Sequence, residues 1–307
     1  MDFFNVLENV SILFLLIIIG YVVGKLNIIT PSARSELTKL VLYVTMPATI
    51  ILALQKPLEA DKINTTLRMI AIMAGAYVVL FIVSFISTRF LKLKNNQKDV
   101  LLCANLLSNT SFMGYPIVLN LLGEDALFYA VISAGFIFEI VSWIFGTRII
   151  SRSVKNTNRN PMNAILNPGV ISIAIGLLFF LTPLKIIEPI NSTMRILSGA
   201  TSPLAMLIIG IMLSTSNVKE ALKNKVLYIT VVTKLLISPL LILLILKALN
   251  FSGYQLMVPV IMLSMPSASY VAMFSDRYGN DTNLSSQAVF MTSLFSIFSI
   301  PIIANLL

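Results

Sequence analysis

Two short stretches of the sequence hold polar side chains where apolar ones surround them: Asn105 to Pro116, with Asn105, Ser108, Asn109, Thr110 and Ser111, and Leu263 to Ser269, with Ser264, Ser267 and Ser269. Each contains a proline, Pro116 in the first and Pro266 in the second. Proline removes a backbone donor and clashes with the preceding helical turn, so both stretches predict an interrupted helix. A helix that restarts after a break opens with unsatisfied N–H groups and the positive end of its dipole, a combination that suits a carboxylate. No arginine or lysine stands near Asn109 along the chain. The expectation is therefore that half-helix N-termini, the Asn109 amide and the Thr110 and Ser267 hydroxyls meet any anion held there. Asn105 reads as a hydrogen bond between helices, and Gly20 and Gly24 as a close helix contact.

Two ionisable residues lie deep in apolar segments, Glu139 and Lys234. Counted at 1.5 Å per residue, both fall a few ångströms to the same side of the segment centres. Either they form a salt bridge or a proton-coupling site, or Lys234 snorkels to the headgroups and Glu139 is protonated in a packed interface. With no histidine and one cysteine, Cys103, the chain has no Ser/His/Asp or Cys/His catalytic set, no His-based metal site and no internal disulfide. An enzyme is not expected, and neither is a cofactor or a metal. Gly20 to Leu26 imitates a phosphate loop but is one residue short between its glycines and has no Ser or Thr after Lys25.

The elements that must position these residues follow from composition. Of 307 residues 57% are apolar and 11% charged, with a mean hydropathy of +0.91, which no water-facing surface tolerates. Apolar runs at 5–25, 33–55, 66–90, 98–122, 124–150, 164–184, 192–215, 225–249, 254–278 and 284–306 predict an all-α integral membrane protein of ten transmembrane helices. The acidic start, Asp2 and Glu8 with no basic residue, lacks the n-region of a cleavable signal peptide. When alternate loops are assigned to opposite faces, 15 of the 22 basic residues collect on one face and 6 on the other, with Lys234 inside a span. The basic face, including the linker 151–161, is then cytoplasmic, and both termini lie outside. The net charge of +9 is read as a topology signal in a lipid bilayer and not as a nucleic-acid footprint.

A constant shift of 156 residues superposes Gly20 on Gly176, Lys39 on Arg195, Thr45 on Thr201, Pro47 on Pro203, Ser108 on Ser264, Ser111 on Ser267, Gly123 on Gly279 and Asp125 on Asp281. Residues 1–151 and 157–307 are thus two repeats of five spans. An odd number of spans turns the second repeat upside down, giving a 5+5 inverted repeat with interrupted crossover helices 4 and 9. This is the plan of secondary transporters, whose substrate site lies near the midplane between the repeats.

Ser108-Asn109-Thr110 with Met113, Gly114, Pro116 and Gly123, then Met265-Pro266-Ser267-Ala268 and a late Pro301, resembles the auxin efflux carrier family, which contains the plant PIN transporters and many bacterial organic-acid permeases. The likeness extends to Asn167-Pro168-Gly169 and to Ser202-Pro203-Leu204-Ala205 with Gly210, and so runs the length of the chain. It implies an elevator carrier in a cell membrane. Helices 1, 2, 6 and 7, about 5–55 and 164–215, would form a scaffold that usually dimerises; helices 3–5 and 8–10, about 66–150 and 225–306, would form a moving transport domain. It also implies a small organic anion at Ser108, Asn109, Thr110, Met113, Gly114, Pro116, Met265, Pro266 and Ser267, since in plant members the asparagine matching Asn109 helps bind the substrate carboxylate. Plant carriers have proline where this chain has Ser108 and again where it has Val271, and many have a large cytoplasmic loop in place of 151–161. Auxin itself therefore does not follow. Two other functions compete: a sodium-coupled symporter of the bile-acid type, which shares the 5+5 plan, and a membrane receptor or assembly scaffold that does not transport.

Overall fold

The computed structural model describes residues 3–55, 60–154, 168–182, 184–214 and 218–307. Lys56, residues 155–161 of the linker, the repeat boundary at 157 and Asn167 lie outside the described residues. Among the described residues every named element is a helix. In chain order they are α1 (Phe3–Lys25), α2 (Ala33–Leu54), α3 (Ala60–Arg89), α4 (Asn95–Leu106), α5 (Thr110–Leu122), α6 (Glu124–Ser151), α7 (Pro168–Leu181), α8 (Glu188–Ser214), a short Val218–Lys223 helix, α9 (Lys225–Ala248), α10 (Tyr254–Ser264), α11 (Tyr270–Tyr278) and α12 (Thr282–Asn305).

Six of these, α2, α3, α6, α8, α9 and α12, are long and apolar enough to cross a membrane. The protein is an all-helical, multi-pass membrane protein. The stretches 98–122 and 254–278, expected as the fourth and ninth spans, each appear as two half-helices, α4 with α5 and α10 with α11.

Proline also reshapes helices that it does not break. The runs Val41–Thr45, Thr110–Gly114 and Thr233–Ile237 are π-helical, and each is followed within two residues by a proline, Pro47, Pro116 or Pro239. A proline offers no N–H and its ring meets the carbonyl of the preceding turn, and a locally widened turn relieves that clash. The consequence is a change of phase: residues before and after the wide turn no longer share the stripe that a straight helix would give them. Lys234 sits in one such turn, and Thr110 in another.

Close backbone approach binds α1 to α8. A Cβ on Gly210 would fall on the Ile17 carbonyl oxygen and the Tyr21 nitrogen, and one on Gly20 would fall on the Leu207 carbonyl. Gly24 leaves the same room for the Ser214 side chain. Hydroxyls tie α2 to α8: Ser198 donates to Thr49 Oγ1 at 3.0 Å, and Thr49 and Thr201 share a bond of 2.9 Å. Gly176 of α7 rests on Leu54 of α2.

At the end of the bundle where α4 starts, polar groups hold the chain turns. Asp99, 1% exposed, accepts hydrogen bonds from the Arg152 guanidinium and, at 2.5 Å, from Ser153. The bond to Asp99 holds the Arg152 guanidinium above its usual range. Asn280 donates to the Ile150 carbonyl at 2.7 Å, and Asp281 caps α12 through the Leu284 N–H at 3.0 Å.

The α1–α8 contact predicts a directional result. Gly210→Ala forces backbone against backbone and should cost about 1–3 kcal/mol, read as a lower melting temperature in detergent. Gly75→Ala, where an added Cβ meets nothing within 4 Å, should leave the melting temperature unchanged or slightly raised.

Candidate functional site

The two breaks meet. Past the end of α4 the chain is extended at Leu107 (φ −91°, ψ 106°), and past the end of α10 it is extended at Met265 (φ −63°, ψ 148°). Ser108 and Ser267 then pair as an antiparallel bridge. The Asn109 N–H donates to the Pro266 carbonyl at 2.7 Å, and the Ala268 N–H donates to the Leu107 carbonyl at 2.8 Å. Two unwound segments deep in an apolar interior thus satisfy one another's backbone, which is what such segments require where no water can help.

Side chains complete the crossing. Ser267 donates its hydroxyl to the Ala104 carbonyl at 2.7 Å, one of the last-turn acceptors that α4 leaves open. The Ser267 N–H donates to Thr292 Oγ1 of α12 at 3.1 Å. Gly114 is small because Met262 of α10 lies against it, with Sδ 2.9 Å from where a Cβ would be. Met113, Pro116, Met265 and Pro266 are buried around the same centre. Of the sequence-predicted residues, the structure brings Ser108, Asn109, Pro266 and Ser267 together at the crossing with Thr110, Gly114 and Met265 adjoining, while Met113 and Pro116 follow along α5. Asn105 stands apart from the crossing, donating to Ser87 of α3 at 3.2 Å.

Lys234 enters this centre from α9. Its Nζ is fully buried and donates to Ser108 Oγ at 2.5 Å. The expectation that no basic residue stands near Asn109 is corrected here: the cation arrives from 126 positions further along the chain. Glu139 is elsewhere engaged, accepting from Trp143 Nε1 at 3.1 Å on its own helix, and among the described residues no ion pair joins it to Lys234. The common depth expected from residue counting says nothing of the direction in which each side chain points. The signal that would have found the Lys234 partner was energetic: a lysine held at that depth needs a polar acceptor, and the broken helices are where such acceptors occur.

A cavity of ≈ 10 Å³ adjoins the crossing, lined by Asn109, Thr110, Ser111, Ala268 and Ser269, with Leu42 and the rings of Phe112, Phe138 and Tyr270 closing it. That is room for about one water molecule. Thr110 Oγ1 is buried with no hydrogen-bond partner. Phe138 packs on Tyr270 at 5.4 Å, and Trp143 and Phe274 extend the aromatic wall behind it. Polar groups thus meet at this space: the Lys234 amine on Ser108, the open Thr110 hydroxyl and the Asn109 amide.

A family profile described as "Membrane transport protein" matches residues 5–160 and 158–304, nearly the whole chain. The chain belongs to the auxin efflux carrier family of membrane transport proteins. Family relatives align end to end with it. An uncharacterized transporter of Methanocaldococcus jannaschii is 28% identical over 306 residues, covering 96% of this chain and 97% of that protein. An uncharacterized transporter of Methanothermobacter thermautotrophicus is 26% identical over 312 residues, covering 98% of each.

Removing one partner of a buried charged hydrogen bond costs more than removing both. Ser108→Ala should lower stability by roughly 1.5–3 kcal/mol, whereas Lys234→Met, which fills similar volume without charge, should melt at or above the parent. The double variant should then recover most of what Ser108→Ala loses. Thermal unfolding of the four proteins in one detergent checks this, and simple additivity of the two changes would contradict the contact.

Proposed function

We propose that this membrane transport protein is a secondary transporter of small organic anions, carboxylates of the auxin-like or dicarboxylate type, working by elevator-type alternating access. The observation that carries the proposal is the buried Lys234 amine on Ser108, at the crossing of two broken helices, one residue from Asn109, an amine that is protonated in this reading. A buried cation without a counter-anion costs several kcal/mol, and a carboxylate arriving beside Asn109 and Thr110 recovers part of that cost. The same charge argues against the bile-acid type of sodium coupling, because a sodium ion at the crossing would be repelled by the ammonium. It also argues against a receptor or scaffold that does not transport, which gains nothing from keeping the charge.

In this reading α4 with α5 and α10 with α11 each cross the bilayer as one interrupted span. Ten spans then form a 5+5 inverted repeat. Helices α1, α2, α7 and α8 form the scaffold, through which two copies dimerise in the cell membrane, and the remainder moves the substrate past it. Glycine-mediated backbone contact between α1 and α8 supports a stiff scaffold. Both termini are outside. Single cysteines at Ser153 and Asn305 in a Cys103-free background test that orientation: an impermeant reagent on intact cells should label position 305 and spare position 153.

Uptake and binding of acetate, succinate and indole-3-acetate by reconstituted protein test the function. At least one should be accumulated. Asn109→Ala should weaken its binding by roughly 1.5–3 kcal/mol, the range for a hydrogen bond to a charged group, or about tenfold to a hundredfold. Asn109→Asp should be worse because it repels the carboxylate, Lys234→Met should abolish uptake in a protein that remains folded, and Asn105→Ala should be mild. Binding by Asn109→Asp as tight as in the parent would place the substrate elsewhere.

A further inference from the structure

A second cavity, of ≈ 440 Å³, opens at the end of the bundle where α8 begins, remote from Lys234. One wall is Thr49, Leu52 and Ala53 of α2 with Asn191, Arg195, Ser198 and Gly199 of α8; the opposite wall is Leu119 of α5 with Glu124 and Leu127 of α6. It lies along the same half-helix as Asn109: Leu119 is ten residues further on, roughly 15 Å at the helical rise. The cavity is large enough for a small carboxylate and its water, whereas the space at the crossing is not.

Arg195 is the cation of this cavity. Among the described residues no carboxylate forms an ion pair with it. The nearest acid on its own helix, Glu188, is occupied, accepting from Ser192 at 3.0 Å and Asn191 at 3.5 Å. The internal repeat sharpens the point. At the offset of 156 residues Arg195 corresponds to Lys39, which Glu36 neutralises at 2.8 Å, but the residue corresponding to Glu36 is Ser192. The second repeat keeps the cation and drops its acid. A guanidinium facing an open, polar-walled cavity has five donors in a fork that matches a carboxylate.

We propose that this cavity is a second anion site, an antechamber in which Arg195 holds a small carboxylate at the mouth of the path between α2, α8 and α5. The preference for anions rests on Arg195 alone; the statement that the occupant is cargo on its way to or from Asn109 rests on the carrier reading above.

Gly199 gives a direct probe, because it lines the cavity and a side chain added there meets nothing within 4 Å. In a Cys103→Ala background, Gly199→Cys in reconstituted protein is reacted with thiosulfonate reagents of equal size and opposite charge. The anionic reagent should react several-fold faster than the cationic one. Arg195→Gln should reverse or abolish that preference. Succinate or acetate should slow labelling with Arg195 present and have no effect in Arg195→Gln. An unchanged charge preference in Arg195→Gln, or no protection by any carboxylate that the parent transports, overturns the site. If carboxylates protect position 199 but none is taken up, the antechamber stands as a binding site and the carrier reading fails. Uptake without protection fails the antechamber and leaves the carrier reading intact.

Discussion

A lysine amine with no access to water needs a polar acceptor in place of hydration, and among the described residues Lys234 has one, Ser108 Oγ, at 2.5 Å. That need organises the centre of the molecule. Ser108 is held in position by its bridge to Ser267, which is fixed in turn by the Ala104 carbonyl and by Thr292. Remove the crossing and the lysine has no acceptor. Remove the lysine and the crossing persists as a hydrogen-bonded junction with no charge to offer a solute.

The crossing solves a second constraint, that of unpaired backbone in an apolar interior. Leu107, Asn109, Pro266 and Ala268 exchange their N–H and carbonyl groups between segments, so each break can exist because the other does. The prolines contribute in two ways: Pro266 lies in a break itself, while Pro47, Pro116 and Pro239 follow wide turns. Such turns set the phase at which Thr110 and Lys234 leave their helices, and the glycines of α1 and α8 let those two backbones come into contact.

Much of this was legible in the sequence, because its causes are local. The span expected at 254–278 corresponds to α10 and α11 with the same outer bounds, and the polar, proline-bearing stretches mark both breaks. Asn105 forms the helix-to-helix hydrogen bond that its position suggested. What the sequence did not yield was azimuth. Residue counting puts Lys234 and Glu139 at one depth, but wide turns at Val141–Gly146 and Thr233–Ile237 shift the helix phase near them, and one meets Ser108 while the other meets Trp143. The Asp99 contacts with Arg152 and Ser153 escaped notice for a related reason: they join residues more than fifty positions apart through the packing of α4 on the end of α6.

The central claim is that an organic anion is held at the crossing by Asn109 and Thr110 in the field of Lys234. The most direct measurement is a structure of the protein in a lipid nanodisc with a transported carboxylate carrying a heavy-atom label, determined for the parent and for Lys234→Met. The account predicts the carboxylate within hydrogen-bond distance of the Asn109 side chain in the parent, with the cavity there enlarged to receive it, and an empty crossing in the variant. A carboxylate bound away from residues 108–110 and 265–268, or bound there equally well without Lys234, would contradict it.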